Sequence, residues 1–343
     1  MKSLNKNYYS RPFSHIYVEN KIKDNDTVVS ILQHFKDAQI IYINHYKDIF
    51  CRANQNYIKQ QASHTLILAR KSGTKVYKGS PVCQSFDNDY FFYTSCMMNC
   101  IYNCEYCYLK GMYQSGYMVL FINLDEIFDD VTQLLKAHPV YLCVSYDTDM
   151  MAMESIFHLA KKWCDYVDRT NQTSSNKLTI EIRTKCGTIT QWNNIHPSDN
   201  VIFAFTLSPE YVINNYEHGT SSLKARIDCA KNLISNGFRV RLCFDPMIHC
   251  PDWKSHYTKL LDDVIQSIDL SKLYDVSIGS FRISKDYLKQ MRKIMTNSIA
   301  YFPYENTDGF YHYPSDLQNE MEQFLFREFA KYISPDKIFL WKE

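Results

Sequence analysis

Short apolar runs and amphipathic stretches take turns along this chain. Strand-forming runs stand at His15–Val18, Gln39–Ile43 and Thr65–Ala69. Between the first two, Val28, Ile31, Leu32 and Phe35 recur at helix spacing within Asp26–Lys36. This front part predicts a small α/β lobe over residues 1–85. A second series follows over residues 86–300. Its strand-like runs are Asp89–Ser95, Val140–Tyr146, Leu178–Arg183, Val201–Leu207, Phe238–Phe244 and Tyr274–Phe281. Helical patterns separate them, among them Leu124–Lys136, Met151–Val167, Ser222–Asn236 and Lys254–Ser267. Six strands alternating with helices imply an α/β fold with a parallel sheet, open or curled into a barrel. Gly237 stands where a helix gives way to the fifth strand, the place of a C-cap glycine. A last helix, Ser315–Ile333, and an apolar tail, Lys337–Trp341, form a helical extension over residues 301–343, expected to pack on the barrel.

Charge excludes one broad class. The 343 residues hold 38 Lys and Arg against 37 Asp and Glu, a formal net charge of +1. Nucleic-acid binding would therefore need a local patch. No apolar run reaches the roughly 20 residues of a membrane span. The first 20 residues, MKSLNKNYYSRPFSHIYVEN, lack an apolar signal-peptide core. A cytoplasmic protein is expected.

Twelve cysteines in a reducing compartment do not read as a disulfide framework. Eight are scattered (Cys51, Cys83, Cys143, Cys164, Cys186, Cys229, Cys243 and Cys250), and scattered cysteines are most often small buried hydrophobes. The other four lie in YTSCMMNCIYNCEYCYLKGM, residues 93–112, directly after the first strand of the second series. Cys100, Cys104 and Cys107 have C-x3-C-x2-C spacing. Three thiolates on one loop suit an iron–sulfur cluster, and a four-iron cluster would keep one iron free for a small molecule. Cys96 could complete a structural zinc site, but zinc sites usually pair two short cysteine hairpins a dozen or more residues apart. Cys96, Cys100 and Cys104 form a rival triple with C-x3-C-x3-C spacing.

C-x3-C-x2-C with an aromatic before its last cysteine resembles the radical S-adenosylmethionine superfamily. That resemblance implies a partial TIM barrel, (β/α)6, a [4Fe–4S] cluster on Cys100, Cys104 and Cys107, and S-adenosyl-L-methionine as the source of a 5′-deoxyadenosyl radical. Further segments bring the chain close to the spore photoproduct lyase family. They are SHTLILARKSGTKVYKGS at residues 63–80, CEYCYL at 104–109, PEYVINNYEHGTSSLKARI at 209–227 and GFYHY at 309–313. The family resemblance implies a lyase that repairs a thymine photoproduct in DNA. The radical takes hydrogen from the lesion, β-scission breaks the linking bond, and a cysteine returns a hydrogen. It also implies a relay through two tyrosines flanking the last cluster cysteine, here Tyr106 and Tyr108. An electron donor such as ferredoxin or flavodoxin is implied too, and a monomer is favoured.

One position departs from the family. Its Cys-Thr-Ser-Asp run at the end of the second barrel strand is matched here by Tyr146, Asp147, Thr148 and Asp149, so Tyr146 occupies the donor position. Cys143, three residues upstream on a strand, is expected to face the other way. Tyr146 itself, Cys186 beside Lys185, or a different substrate (RNA, a peptide or a small molecule) are the alternatives. The resemblance assigns coenzyme contacts to Tyr108, Thr148, Lys185, Thr206 and Asp245. Asp245 replaces a small apolar family residue, so only its backbone role carries over. A lysine at an inward-facing strand end calls for an anion, which marks Lys185. Candidate phosphate contacts are Arg282, Lys285, Lys289, Arg292 and Lys293 on one side and Arg70, Lys71, Lys75 and Lys78 on another. The aromatic stretches 301–304 and 311–313 could stack on bases. A zinc-stabilised nucleic-acid-binding module remains the non-enzyme alternative.

Overall fold

The structure, a computed structural model, describes residues 13–80 and 83–341. The first twelve residues of the N-terminal stretch lie outside the described residues. Two sheets dominate. The larger contains Phe91–Thr94, Val140–Cys143, Leu178–Thr184, Val201–Thr206, Arg239–Met247 and Asp275–Ser280 as six parallel neighbours in chain order. These are the six predicted strands. The sheet stays open. Val76–Lys78 adds antiparallel at one edge and Ile338–Leu340 adds parallel at the other. Every residue of Val201–Thr206 is buried, as befits a parallel strand covered on both faces.

The front lobe is a second, five-stranded sheet. Gln39–Ile43, His15–Glu19 and Thr65–Ala69 lie parallel, as the apolar runs predict. The lobe does not close at residue 85, however. Met118–Phe121 pairs with Thr65–Ala69, and Met97–Met98 pairs with Met118–Phe121. Met97–Met98 belongs to the cysteine loop and Met118–Phe121 follows it, so the loop is built into the lobe and the barrel at once.

Local chemistry sets the helix ends. Asn25 caps Asp26–His34, Ser222 caps Leu223–Ser235 and Ser284 caps Lys285–Ile294, each accepting a backbone N–H. Gly237 follows the second of these at φ +81°, a conformation that costs glycine little. The helix predicted over Met151–Val167 is broken. A 3-10 turn at Met150–Met153 and a short helix at Glu154–Phe157 precede Leu159–Thr173, with His158 at φ 53° between them. The Glu154 carboxylate caps the restart, accepting from the N–H groups of Ala160 at 2.7 Å and Lys161 at 2.9 Å. The apolar tail became an edge strand, because Ile338–Leu340 finds unpaired backbone beside Asp275–Ser280.

Candidate active site

A cavity of about 610 Å3 opens at the C-terminal ends of the parallel strands. Tyr93, Cys143, Thr184, Thr206 and Asp245 reach it from successive strands. Behind the lining residues Glu181 and Phe86, Arg241 is buried, paired with Glu181 and Asp275 and packed on the Phe86 ring.

One wall is the cysteine loop. Cys100, Cys104 and Cys107 all line the cavity. Cys96 does not. It is fully buried and its thiol donates to the Val144 carbonyl at 3.4 Å, so the later triple is the one that faces the site. The loop is held from three directions. Asn99, at φ 62°, donates to the carbonyls of Ser115 and Tyr117, each at 2.7 Å. Asn103–Cys104 pairs with Glu217–His218, inside the segment PEYVINNYEHGTSSLKARI. Below it Glu217 accepts from Tyr106, Ser208 and Arg226. Burial opposes the charge of Glu217, but the Arg226 guanidinium and Lys185 outweigh it and hold the carboxyl down at about 2.

These residues fit an iron–sulfur cluster. Burial pushes the Cys104 thiol up to about 12, and Cys100 is raised as well. Such thiols ionise only against positive charge. Lys185 and Arg226 supply it for Cys104, and the buried Lys110 stands three residues beyond Cys107, its N–H donating to the Cys107 carbonyl at 3.1 Å. Among the described residues, no three His, Cys, Asp or Glu side chains converge closely enough to hold a single metal ion. A cluster distributes its cysteines over separate irons.

The predicted coenzyme residues Tyr108, Thr148, Lys185, Thr206 and Asp245 all line the same cavity. Thr148 Oγ1 is buried without a hydrogen-bond partner, a vacant polar contact in a concave site. Asp149, also on the cavity wall, accepts from Thr184 Oγ1 at 2.8 Å and from the Lys185 N–H at 2.6 Å. Lys185 Nζ lies over the Tyr106 ring, 5.4 Å from its centroid. The Asp245 carboxylate accepts from Arg282 at 2.9 and 3.2 Å and lies 3.7 Å from Arg183. Its side chain is thus committed to two arginines.

Another part of the lining carries Tyr146. Its ring stacks on Tyr93, centroids 4.1 Å apart. The Cys83 thiol lies 3.8 Å from the Tyr146 hydroxyl, and Cys83 itself lines the cavity. Sequence reasoning passed over Cys83 as one scattered cysteine. The signal is conformational: Val76–Lys78 pairs with the first barrel strand, and Ser80 and Cys83 beyond it line the cavity. Cys186, by contrast, is buried outside the cavity lining. Cys143 does line it, contrary to the alternation argument, because the strand stops at Cys143 and regular alternation ends with it. The two flanking tyrosines part company. Tyr108 donates to the Tyr146 carbonyl at 2.5 Å, whereas Tyr106 donates to Glu217.

The proposed phosphate patches are weaker than the sequence suggested. Arg282 lines the cavity, bound to Asp245 and stacked on Trp341. Arg292 donates to the Ala300 carbonyl. Lys285, Lys289 and Lys293 remain exposed as one stripe. In the second patch Lys71 is buried, while Arg70 and Lys75 pair with Glu126. Of the aromatic stretches, Tyr301 is exposed and Phe302, Tyr304 and Tyr313 pack together. No described helix is long and apolar enough to cross a membrane.

Comparison with known proteins agrees with this geometry. A spore photoproduct lyase from a Geobacillus species is 24% identical over 181 residues, 51% of this chain and 52% of that protein. Another, from Clostridium acetobutylicum, is 24% identical over 251 residues, 68% of this chain and 72% of the relative. The first alignment thus spans about half of its relative. A solved spore photoproduct lyase mutant with bound AdoMet and dinucleoside spore photoproduct superimposes with a TM-score of 0.76 at 17% identity, covering 96% of this chain and 98% of that one. The sequence profile described as "Spore photoproduct lyase" matches residues 14–305, and on that span the chain belongs to the spore photoproduct lyase family.

Proposed function

We propose that this protein is a radical S-adenosylmethionine lyase that repairs a thymine photoproduct in DNA. The observation that carries the reading is one cavity shared by three cluster-type cysteines and a thiol–phenol pair. Cys100, Cys104 and Cys107 would hold the four-iron cluster. Thr148, Lys185 and the backbone around Thr206 and Asp245 would hold the coenzyme, with Tyr108 beside them. When bound, the two groups would supply a 5′-deoxyadenosyl radical, the hydrogen-abstracting chemistry that cleavage of the lesion's linking bond requires.

Cys83 is the hydrogen donor in this reading. Its S–H passes a hydrogen atom to the thymine radical, leaving repaired thymine and a sulfur radical. Tyr146, at 3.8 Å, returns a hydrogen atom to that sulfur and takes over the radical on its oxygen, and one electron from the reductant with one proton restores the phenol. Tyr108, bonded to the Tyr146 backbone, links this pair to the cluster side. The phenol thus stands where the family has its thiol, and the thiol stands one contact away. Burial raises the Tyr146 hydroxyl far above its ordinary value, so the phenol stays protonated and able to give a hydrogen atom.

The reductant is a one-electron carrier of the ferredoxin or flavodoxin type. The working unit is a monomer in a reducing cytoplasm, where twelve cysteines need no disulfide framework. The test is anaerobic. Reconstituted protein, dithionite and S-adenosylmethionine are incubated with a dinucleotide carrying the lesion, and thymine and 5′-deoxyadenosine are followed by mass spectrometry. Thymine return supports the reading. Deoxyadenosine without thymine would move the substrate elsewhere.

A further inference from the structure

Lys110 follows the last cluster cysteine by one helical turn, in Leu109–Met112. It is only 5% exposed. Its Nζ donates to Asn103 Oδ1 and lies 5.5 Å from the Tyr57 ring centroid. Neither partner carries a formal charge. Glu105 is the carboxylate whose charge bears on it. That carboxylate is already engaged, by His218 at 2.8 Å and Asn297 at 2.6 Å. A buried ammonium without a dedicated anion is unfavourable. The backbone N–H of Lys110 donates to the Cys107 carbonyl at 3.1 Å, and Asn103, its side-chain partner, directly precedes Cys104, so two of the three cluster-type cysteines adjoin it.

The backbone turn that carries Lys110 is closely seated. A Cβ on the next residue, Gly111, would lie 2.2 Å from the Tyr287 carbonyl oxygen, so backbone meets backbone there. That contact seats the turn on Lys285–Ile294. Asn103 is fixed in turn by its pairing with His218.

We propose that Lys110 is the fixed counter-charge of the cysteine-bound cluster and favours its one-electron reduction. This rests on the function proposed above. Reduction adds one negative charge to a buried group while no bond breaks, and the electron comes from the one-electron donor. A neighbouring ammonium in a low-dielectric wall favours the more negative state. Iron–sulfur potentials respond to net charge, hydrogen bonding and exposure in this way. Lys110 is a positioning residue, since it would touch neither substrate nor coenzyme.

The experiment uses the full chain, reconstituted anaerobically, as wild type, Lys110→Met, Lys110→Gln and Lys110→Arg. Iron and sulfide are counted, and the cluster is titrated with dithionite under EPR. At the potential that half-reduces the wild type, the Met and Gln variants should show about a tenfold lower ratio of reduced to oxidised cluster, or 59 mV for one electron. The Arg variant should stay near wild type. Cluster-free Lys110→Met should unfold in urea no more easily than the wild type, as it loses an uncompensated buried charge; a purely structural lysine would weaken it. Four irons per chain with an unchanged ratio in Met and Gln would overturn the proposal and leave the functional reading standing. A wild-type protein that assembles no four-iron cluster would overturn both.

Discussion

The two walls of the cavity were assembled in different ways. The cluster wall comes from one short segment. Its cysteines lie within eight positions, and its supports, Glu217 and Arg226, come from a second compact segment. The donor wall has no such segment. Cys83 and Tyr146 are 63 positions apart, and Tyr93 joins them from a third place. A cluster needs several ligands at fixed mutual geometry, so the spacing is held in sequence. A hydrogen donor needs only one S–H or O–H near the product radical. Several loops around a barrel mouth can supply that, so the donor can move without disturbing the cluster.

The largest expected effect tests which cysteines make the cluster wall. Cys107→Ala should lose the four-iron spectrum, and 5′-deoxyadenosine should fall to background. Cys96→Ala should keep both, because its thiol contacts the Val144 carbonyl away from the cavity. Iron counts and chromatography of the nucleoside decide it. The reverse pattern would transfer the cluster to the earlier triple.

Next comes the clamp beneath that wall. Glu217→Gln leaves the fully buried Arg226 without its anion, a loss of about 3–5 kcal/mol for a broken buried pair. The pH dependence has a definite sign. The folded carboxyl, at about 2, lies below its ordinary value of 4.5. Its ionised form therefore stabilises the fold above pH 4.5, and that contribution is lost as pH falls from there through 2. Urea unfolding at pH 7 and pH 3 should show a smaller gap between wild type and variant at the lower pH. An equal gap would mean that the pair carries no linked proton.

The donor wall is tested by Cys83→Ala. Thymine returned per 5′-deoxyadenosine formed should fall about 100-fold, equivalent to about 2.7 kcal/mol, while 5′-deoxyadenosine itself persists. Cys186→Ala, away from the cavity lining, should leave the ratio unchanged. Tyr146→Phe should give a first turnover and then slow, since the sulfur radical loses its partner. If Cys186→Ala alone abolished thymine return, the pairing of Cys83 with Tyr146 would be incidental.

The same contrast explains what could be read before the fold was known. The six parallel strands were legible because buried strands such as Val201–Thr206 are apolar throughout and alternate with amphipathic helices. The cluster cysteines were legible from spacing. Cys83 was not, since nothing in its neighbours says that Val76–Lys78 will pair antiparallel with the first barrel strand. The facing of Cys143 was misjudged because alternation was carried past the end of Val140–Cys143. The division of labour between Tyr106 and Tyr108 was also hidden. Two tyrosines either side of one cysteine look equivalent until Glu217 is seen to take one of them.

The smallest effect concerns Thr148, which follows Tyr146 by two positions and lies on the coenzyme side of the cavity. Its Oγ1 is buried and makes no hydrogen bond with the described residues. An unsatisfied buried hydroxyl costs stability, and its worth returns only when a ligand supplies the partner. Thr148→Val keeps the shape and removes the hydroxyl. In protein free of S-adenosylmethionine it should therefore raise Tm, by about 2 °C for about 1 kcal/mol. The same change should weaken coenzyme binding about fivefold to tenfold, the worth of one hydrogen bond of about 1 kcal/mol. A structural hydroxyl would lower Tm on removal, and a bystander would leave the dissociation constant unchanged. Calorimetry of the cluster-loaded protein with and without S-adenosylmethionine separates these cases, because only a coenzyme contact moves the two quantities in opposite senses.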